Sequence, residues 1–506
     1  MNKKIASILV GVVTLLIFCG YKLLALFGTL IAFKAYNPTQ GVWRAPFVGL
    51  KHFSDLFSAP FMMNAFSNTF ILGISSLILT CVLAYILITA ISKFPSYQMK
   101  IWAIVILAIP FFIPVTTYVN VILTLFGPGI TTNPQLARLL YIFSNVFGDL
   151  WIPVAVGIGA TIYKKDNSTG FILKLTACIT LFNLAFVTNP ALDVLLLTYN
   201  PTTYNVLDTV GTFIYRCGLL NMDFSSAAAA GFVGSVLQII TAAAGFVGLY
   251  AICKKEPNRE FKESYSNPGS NAVSLVIYAI IAIIPLTILG SVIFGAFGGD
   301  FGMIFANPTI FRAIFNSLAT GIFTAIICTA TTAILAYPLF HSKRTYLIIL
   351  LIFMLIPTNI IGEYLTLRNL GMSNTIFPKI LTNSVNIPAA IVLYFIVSHK
   401  FENGKIPTIS EYLTNCWYPL IFVAVITFST VYGGYLQDML YISQRDLFGV
   451  GMIGRDLSSN AAMIQPKAPV PNVVPAYNFV VSVIPLTFGT LAITMGGRLS
   501  AKSAKA

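Results

Sequence analysis

The sequence predicts an all-α membrane protein with about twelve transmembrane helices in two six-helix halves. Three observations predict it. Of 506 residues, 57% are hydrophobic and 9% charged, and mean hydropathy is +0.85, too little charge to cover a soluble protein of this length. Twelve apolar stretches follow one another along the chain. Between the sixth and seventh lies a basic polar segment, residues 254–271 (KKEPNREFKESYSNPGSN). The organisation expected is a first half at 1–253, a cytoplasmic linker at 254–271 and a second half at 272–506. Paired bundles of this kind make a path across a bilayer.

The first stretch, 5–33, follows Lys3 and Lys4. It is too long for a signal-peptide core and has no small-residue cleavage site before Tyr36, so it is expected to stay as a helix with its N-terminus inside. The others in the first half are 67–91, 101–125 (marked by Pro110 and Pro114), 149–163, 171–187 and 227–253. In the second half they are 272–297, 314–339, 346–361 (ending just after Pro357), 387–397, 417–431 and 477–495. The fourth, tenth and eleventh fall short of the ~20 residues a perpendicular span needs, which suits either extension by flanking residues or broken helices lining a cavity.

Charge placement gives the orientation. Starting inside, cytoplasmic segments hold 17 of the 30 basic residues and external segments 11, so both termini are expected in the cytoplasm. The formal charge of +14 reports topology and no nucleic-acid partner, because the basic residues are spread through short inter-helix loops. Seven scattered cysteines, mostly inside apolar runs, suit small core residues better than a disulfide frame or metal site.

The halves echo one another. Asn68-Thr69 opens the second stretch and Asn316-Ser317 the eighth, each followed by a small-residue-rich helix and a lysine, Lys93 or Lys343. A proline-marked helix comes next in both: Pro110 and Pro114 lead to Gly129 and Asn133, and Pro357 leads to Gly371 and Asn374. A degenerate duplication explains these marks; the general likeness of membrane helices is the plainer alternative.

Polar groups inside the bundle cost several kcal/mol unless paired or hydrated. Tyr118 and Asn120, after Pro110 and Pro114, and Asn359, Glu363 and Tyr364, after Pro357, hold equivalent places in the two halves and are substrate-path candidates. Aromatic faces stack on sugar rings, and amides and carboxylates bond hydroxyls. Alternatively they pin helix to helix, with Glu363 at the wet interface. No enzyme activity and no cofactor are expected: Gly404-Lys405 is followed by Ile406 and Pro407 without phosphate-loop spacing, and His52, His341 and His399 lie in different loops.

Two segments carry a family resemblance. Residues 28–57, GTLIAFKAYNPTQGVWRAPFVGLKHFSDLF, resemble the opening of polysaccharide-type permeases of carbohydrate ABC importers, with their AFKxYNP-like turn and VGLxxF segment. Residues 192–240 look like that family's stretch between its fifth and sixth helices, with Asp193, Tyr199-Asn200-Pro201, Asp208, Tyr215-Arg216, Gly218 and Phe224-Ser225 in order. The second half is similar to the partner permease through Asn316-Ser317, Ala336-Tyr337, Pro357 and the Leu370-Gly371 to Asn374-Thr375 series.

The resemblance implies two permease subunits fused in one chain, in a bacterial plasma membrane, working with ATP-binding cassette ATPase subunits and an external solute-binding lipoprotein. Asp208, Arg216 and Asp223 become docking candidates for that binding protein. The family's cytoplasmic EAA loop, which docks into the ATPase through a short amphipathic helix ending before a proline, is degenerate here. In the first half residues 164–170 (KKDNSTG) leave no room for it. In the second, 398–419 has the length and keeps Gly404 and Pro419, so Glu402, Gly404, Lys405, Glu411 and Pro419 are the ATPase-coupling candidates. The competing expectations are a permease-derived scaffold or receptor that has lost ATPase coupling, and an ion-coupled carrier, for which Asp149, Glu363 and Asp438 are few.

Overall fold

The computed structural model describes residues 3–254, 272–356, 360–398, 400–401, 406–463 and 473–503. Its helices are α1 (Lys3–Gly28), α2 (Lys51–Ser58), α3 (Pro60–Ser92), α4 (Tyr97–Phe112), α5 (Val115–Phe126), α6 (Pro134–Asp149), α7 (Trp151–Lys164), α8 (Thr169–Leu184), α9 (Phe224–Lys254), α10 (Ala272–Phe297), α11 (Pro308–Ala336), α12 (Lys343–Leu355), α13 (Ile360–Asn369), α14 (Ile387–Ser398), α15 (Ile409–Gly433) and α16 (Val473–Ser503), with shorter turns between them. Strand-like pairing among the described residues is one bridge, Lys34 with Phe47.

Local chemistry starts these helices where the sequence allows. Pro60 and Pro308 occupy first helical positions, where a missing N–H costs nothing. Ser96, Asn133 and Asn307 cap α4, α6 and α11 with side-chain oxygens, and Thr408 with Glu411 closes a reciprocal capping box on α15. At the end of α3 the Lys100 ammonium donates to the Ser92 carbonyl at 2.8 Å, satisfying an orphan acceptor.

Each of the twelve expected stretches contains helix. Among the described residues eight helical spans are long and apolar enough to cross a membrane, or nine with one bent pair, and Thr169–Leu184, Val210–Leu220 and Ile387–Ser398 are shorter apolar helices beside them. Stretch 101–125 is not one helix. Ile113 is extended (φ −84, ψ 133) because the Pro114 ring disfavours helical geometry before it, and α4 and α5 diverge by 95°. Stretch 346–361 ends as α12 at Leu355, and Ile356, before Pro357, is extended in the same way (φ −59, ψ 113). Two stretches, in α8 and α14, are short helices of 16 and 12 residues. The fourth and eleventh, expected short, belong to longer spans, Pro134–Lys164 and Ile409–Gly433.

The chain divides into two compact units, one formed by Met1–Gly28 with Asp300–Ala492, the other by Thr29–Gly299 with Ile493–Ala506. These groupings exchange the first helix of each sequence half. In the first unit α1 packs on α13 and α11. There Gly28 meets Gly362 backbone to backbone, with no room for a Cβ on either. In the second unit α10 packs on α4 and α3, and the Tyr278 hydroxyl donates to the Ala103 carbonyl at 3.1 Å.

Each unit has its own core. That of the first is built on buried tyrosines: Tyr412 donates to the Ala333 carbonyl at 2.7 Å and Tyr477 to that of Val450 at 2.5 Å. In the second, Trp151 is enclosed by Phe111 and Phe112 at ring separations of 5.3 and 5.9 Å. Gly73 of α3 lies against the Val187 carbonyl, where a side chain would collide with backbone.

Candidate functional site

The duplicated marks prove to be working parts. In the second unit Asn68 donates its amide to the carbonyls of Asn205 (3.0 Å) and Asp208 (3.1 Å), while the Thr69 hydroxyl accepts from the Val210 N–H at 3.0 Å. In the first, Asn316 donates to the carbonyls of Asp446 (2.8 Å) and Phe448 (3.2 Å), and the Ser317 hydroxyl accepts from the Val450 N–H at 2.9 Å. Both pairs clasp a loop to the head of a long helix, because consecutive amide and hydroxyl side chains can serve two carbonyls and one N–H of a passing backbone.

Different charges back the two clasps. Arg138 donates to Asn68 Oδ1 at 2.8 Å. Beside Ser317 a buried ion pair, Lys379 with Asp438 at 3.1 Å, adds bonds to the Gly434 carbonyl and from the Gly449 N–H. Nothing in the spacing of 379 and 438 signals this pairing in the sequence.

Of the path candidates, Tyr118 and Asn120 lie on α5, the limb after the break at Pro114, and Glu363 and Tyr364 lie on α13. Tyr118 is buried and its hydroxyl donates to the Ser144 carbonyl at 3.0 Å, so it joins α5 to α6. Asn120, Glu363 and Tyr364 are half-buried. Tyr364 stacks on Tyr441 at 5.9 Å within a cluster that includes Tyr21, and the field of Lys22 reaches Glu363. Nothing in the spacing of Tyr21 and Tyr441 signals that they join this acid–aromatic group. Asn359 lies outside the described residues.

The docking candidates are largely internal. Asp208 is 5% exposed, and its carboxylate accepts from Thr212 (2.7 Å), Tyr199 (2.9 Å) and Arg216 (2.8 Å). Such a group holds its own loop together and does not itself present charge to a partner. Arg216 also donates to the Tyr199 hydroxyl and lies over the Tyr204 ring at 5.1 Å. Burial and the adjacent Asp208 carboxylate push the Tyr199 hydroxyl's pKa up, keeping it a donor. Asp223 is exposed and caps α9, accepting from the Ser226 N–H at 3.1 Å.

The coupling candidates divide. Glu402, Gly404 and Lys405 lie outside the described residues. Glu411 closes the capping box of α15, receiving the Thr408 N–H at 2.9 Å. Pro419 does not end a helix as the family pattern requires: α15 runs through it from Ile409 to Gly433. In the first half α7 ends with Lys165 left-handed (φ 49), Asp166 accepts from the Ser168 N–H at 2.8 Å, and Ser168 caps α8. This tight turn contains no amphipathic helix.

Helix content, the eight apolar spans and the clasped loops define an all-α, multi-pass membrane protein. Among the described residues no three His, Cys, Asp or Glu side chains gather to hold a metal. No protein-family model matches the chain. Over 59 residues it is 41% identical to Protein LplB of Bacillus subtilis (strain 168), a match that covers 12% of this chain and 19% of that protein, so the chain spans about a fifth of its curated relative. Two crystal structures of bacterial alginate ABC transporters are also similar in part. The one in complex with an alginate pentasaccharide-bound periplasmic protein is 22% identical with a TM-score of 0.39, covering 46% of this chain and 89% of the other. The second is 23% identical with a TM-score of 0.40, covering 49% and 93%.

Proposed function

We propose that this chain is the membrane permease component of an ABC importer, moving an oligosaccharide or related polar solute inward from an external solute-binding protein. ATP hydrolysis would come from partner ATPase subunits, and both termini would lie in the cytoplasm. One observation carries the reading. The two segments that resemble carbohydrate permeases fold into one block: the Ser225 hydroxyl donates to the carbonyl of Lys34, 191 residues away, at 2.8 Å and accepts from the Tyr36 N–H at 3.1 Å, and Tyr36 packs edge-on against Phe224 at 5.8 Å. The match to Protein LplB supports the same reading.

Within it, Asn120 on α5 of the second unit and Glu363 and Tyr364 on α13 of the first are the residues offered to the solute, each half-buried and polar in an apolar helix bundle. Arg216 and Asp223, with the loop that Asp208 organises, form the docking face.

A second reading, a permease-derived scaffold or receptor without transport, is favoured by the tight turn at 165–168 and by α15 continuing through Pro419. Reconstitution of the full chain with a candidate ATPase and binding protein separates the two. Importer function predicts a stable complex whose ATP hydrolysis rises with solute; failure to form any complex supports the scaffold.

A further inference from the structure

Independently of transport, the second unit carries a groove that none of the residues offered to the solute lines. Phe33, Phe53 and Phe232 form its wall, with ring separations of 5.1, 5.6 and 5.7 Å, and Leu50, Phe57, Val233 and Val236 complete an apolar groove of about 350 Å³ that is open on its outer side. The amphipathic helix α2 borders one side, turning Phe53 and Leu56 inward and Lys51, Ser54 and Asp55 to solvent. On the other side is α9, whose exposed Val236, Ile239, Ile240 and Val247 continue the apolar surface along a membrane span.

We infer that this groove binds one acyl chain of an anionic phospholipid, whose headgroup is met by the exposed cations of the flanking segment, Lys51 at the start of α2 and Arg44. Three features select that occupant. The lining is wholly apolar, and it opens onto a strip of a helix that is long and apolar enough to lie in lipid. The segment flanking it has the composition of an interfacial anchor, with Trp43, Phe47 and Leu50 largely exposed beside cationic side chains. Between residues 34 and 58 there are three lysine or arginine side chains and one carboxylate, Asp55, so the local field favours an anion.

Native mass spectrometry of the purified, delipidated full chain with added dioleoyl phosphatidylglycerol or dioleoyl phosphatidylcholine tests this. The expected result is a preference for phosphatidylglycerol of about fivefold or more. Val233→Trp, which fills the groove, should abolish retention of both lipids, and the exposed-site variant Leu50→Gln should weaken both without threatening the fold. Arg44→Gln with Lys51→Gln should keep phosphatidylcholine binding and erase the preference. Equal retention of the two lipids by the wild type, or undiminished retention by both Val233→Trp and Leu50→Gln, would overturn the assignment. So would a dimer that depends on Leu50 in place of any lipid adduct.

Discussion

At the head of α3, Asn68 and Thr69 hold the backbone at 205–210; at the head of α11, Asn316 and Ser317 hold it at 446–450. The bonding is the same in kind, yet the electrostatic support differs. The first clasp is braced by Arg138 on the asparagine itself. The second stands beside a fully buried Lys379–Asp438 pair. Bonds to backbone depend only on the path of the chain, so two loops that pass a helix head alike can be held by the same amide–hydroxyl pair. The ions beside them differ between the two places.

The largest expected effect breaks the ionic side of this comparison. Lys379→Met strands the Asp438 carboxylate at 2% exposure and should cost about 3–5 kcal/mol in thermal unfolding of the purified chain. Adding Asp438→Leu should recover most of the loss. A single variant as stable as wild type would show that the pair contributes nothing. Next comes the clasp itself. Asn68→Ala removes two donors from a buried site and should cost about 1–3 kcal/mol, whereas Asn316→Ala, at a half-exposed position where water can substitute, should cost less. Equal losses would contradict the difference in burial.

Gly73→Leu sharpens the same comparison one turn along α3 from Thr69. A side chain aimed at the Val187 carbonyl should cost about 1–3 kcal/mol, more than at Gly321, one turn along α11 from Ser317, where the close contact is the Phe428 ring. The smallest effect belongs to Arg312 and Asp446, bonded at 2.6 Å but 61% and 77% exposed. Arg312→Gln should change stability by less than about 1 kcal/mol, and added salt should erase even that.

Length and hydropathy made the helices legible, but 101–125 reads as one stretch in the sequence although the chain breaks before Pro114 and runs through Pro110. The 95° turn at Ile113 was not legible, since a proline restricts the residue before it but does not set the direction in which the chain resumes. The exchange of α1 and α10 between the compact units was also hidden. Helices that are apolar on all sides carry no stripe to name their partner, and only small contacts such as Gly28 with Gly362 decide it. Among site residues, the repeated Asn68-Thr69 and Asn316-Ser317 were visible as marks, though not as clasps. Asp208 and Arg216 were visible as charges, and a linear sequence does not tell that Tyr199 and Thr212 close around that carboxylate and bury it.

The proposal for solute contact rests on half-buried residues of α5 in the second unit and of α13 in the first. Cysteine substitution at Asn120 and at Tyr364, with labelling by a membrane-impermeant thiol reagent over the native-cysteine background, tests it most directly. The account predicts that both positions react and that bound solute protects them, while Tyr118→Cys, facing Ser144 inside the helix packing, stays unlabelled. Silence at both 120 and 364 in the folded chain would contradict it.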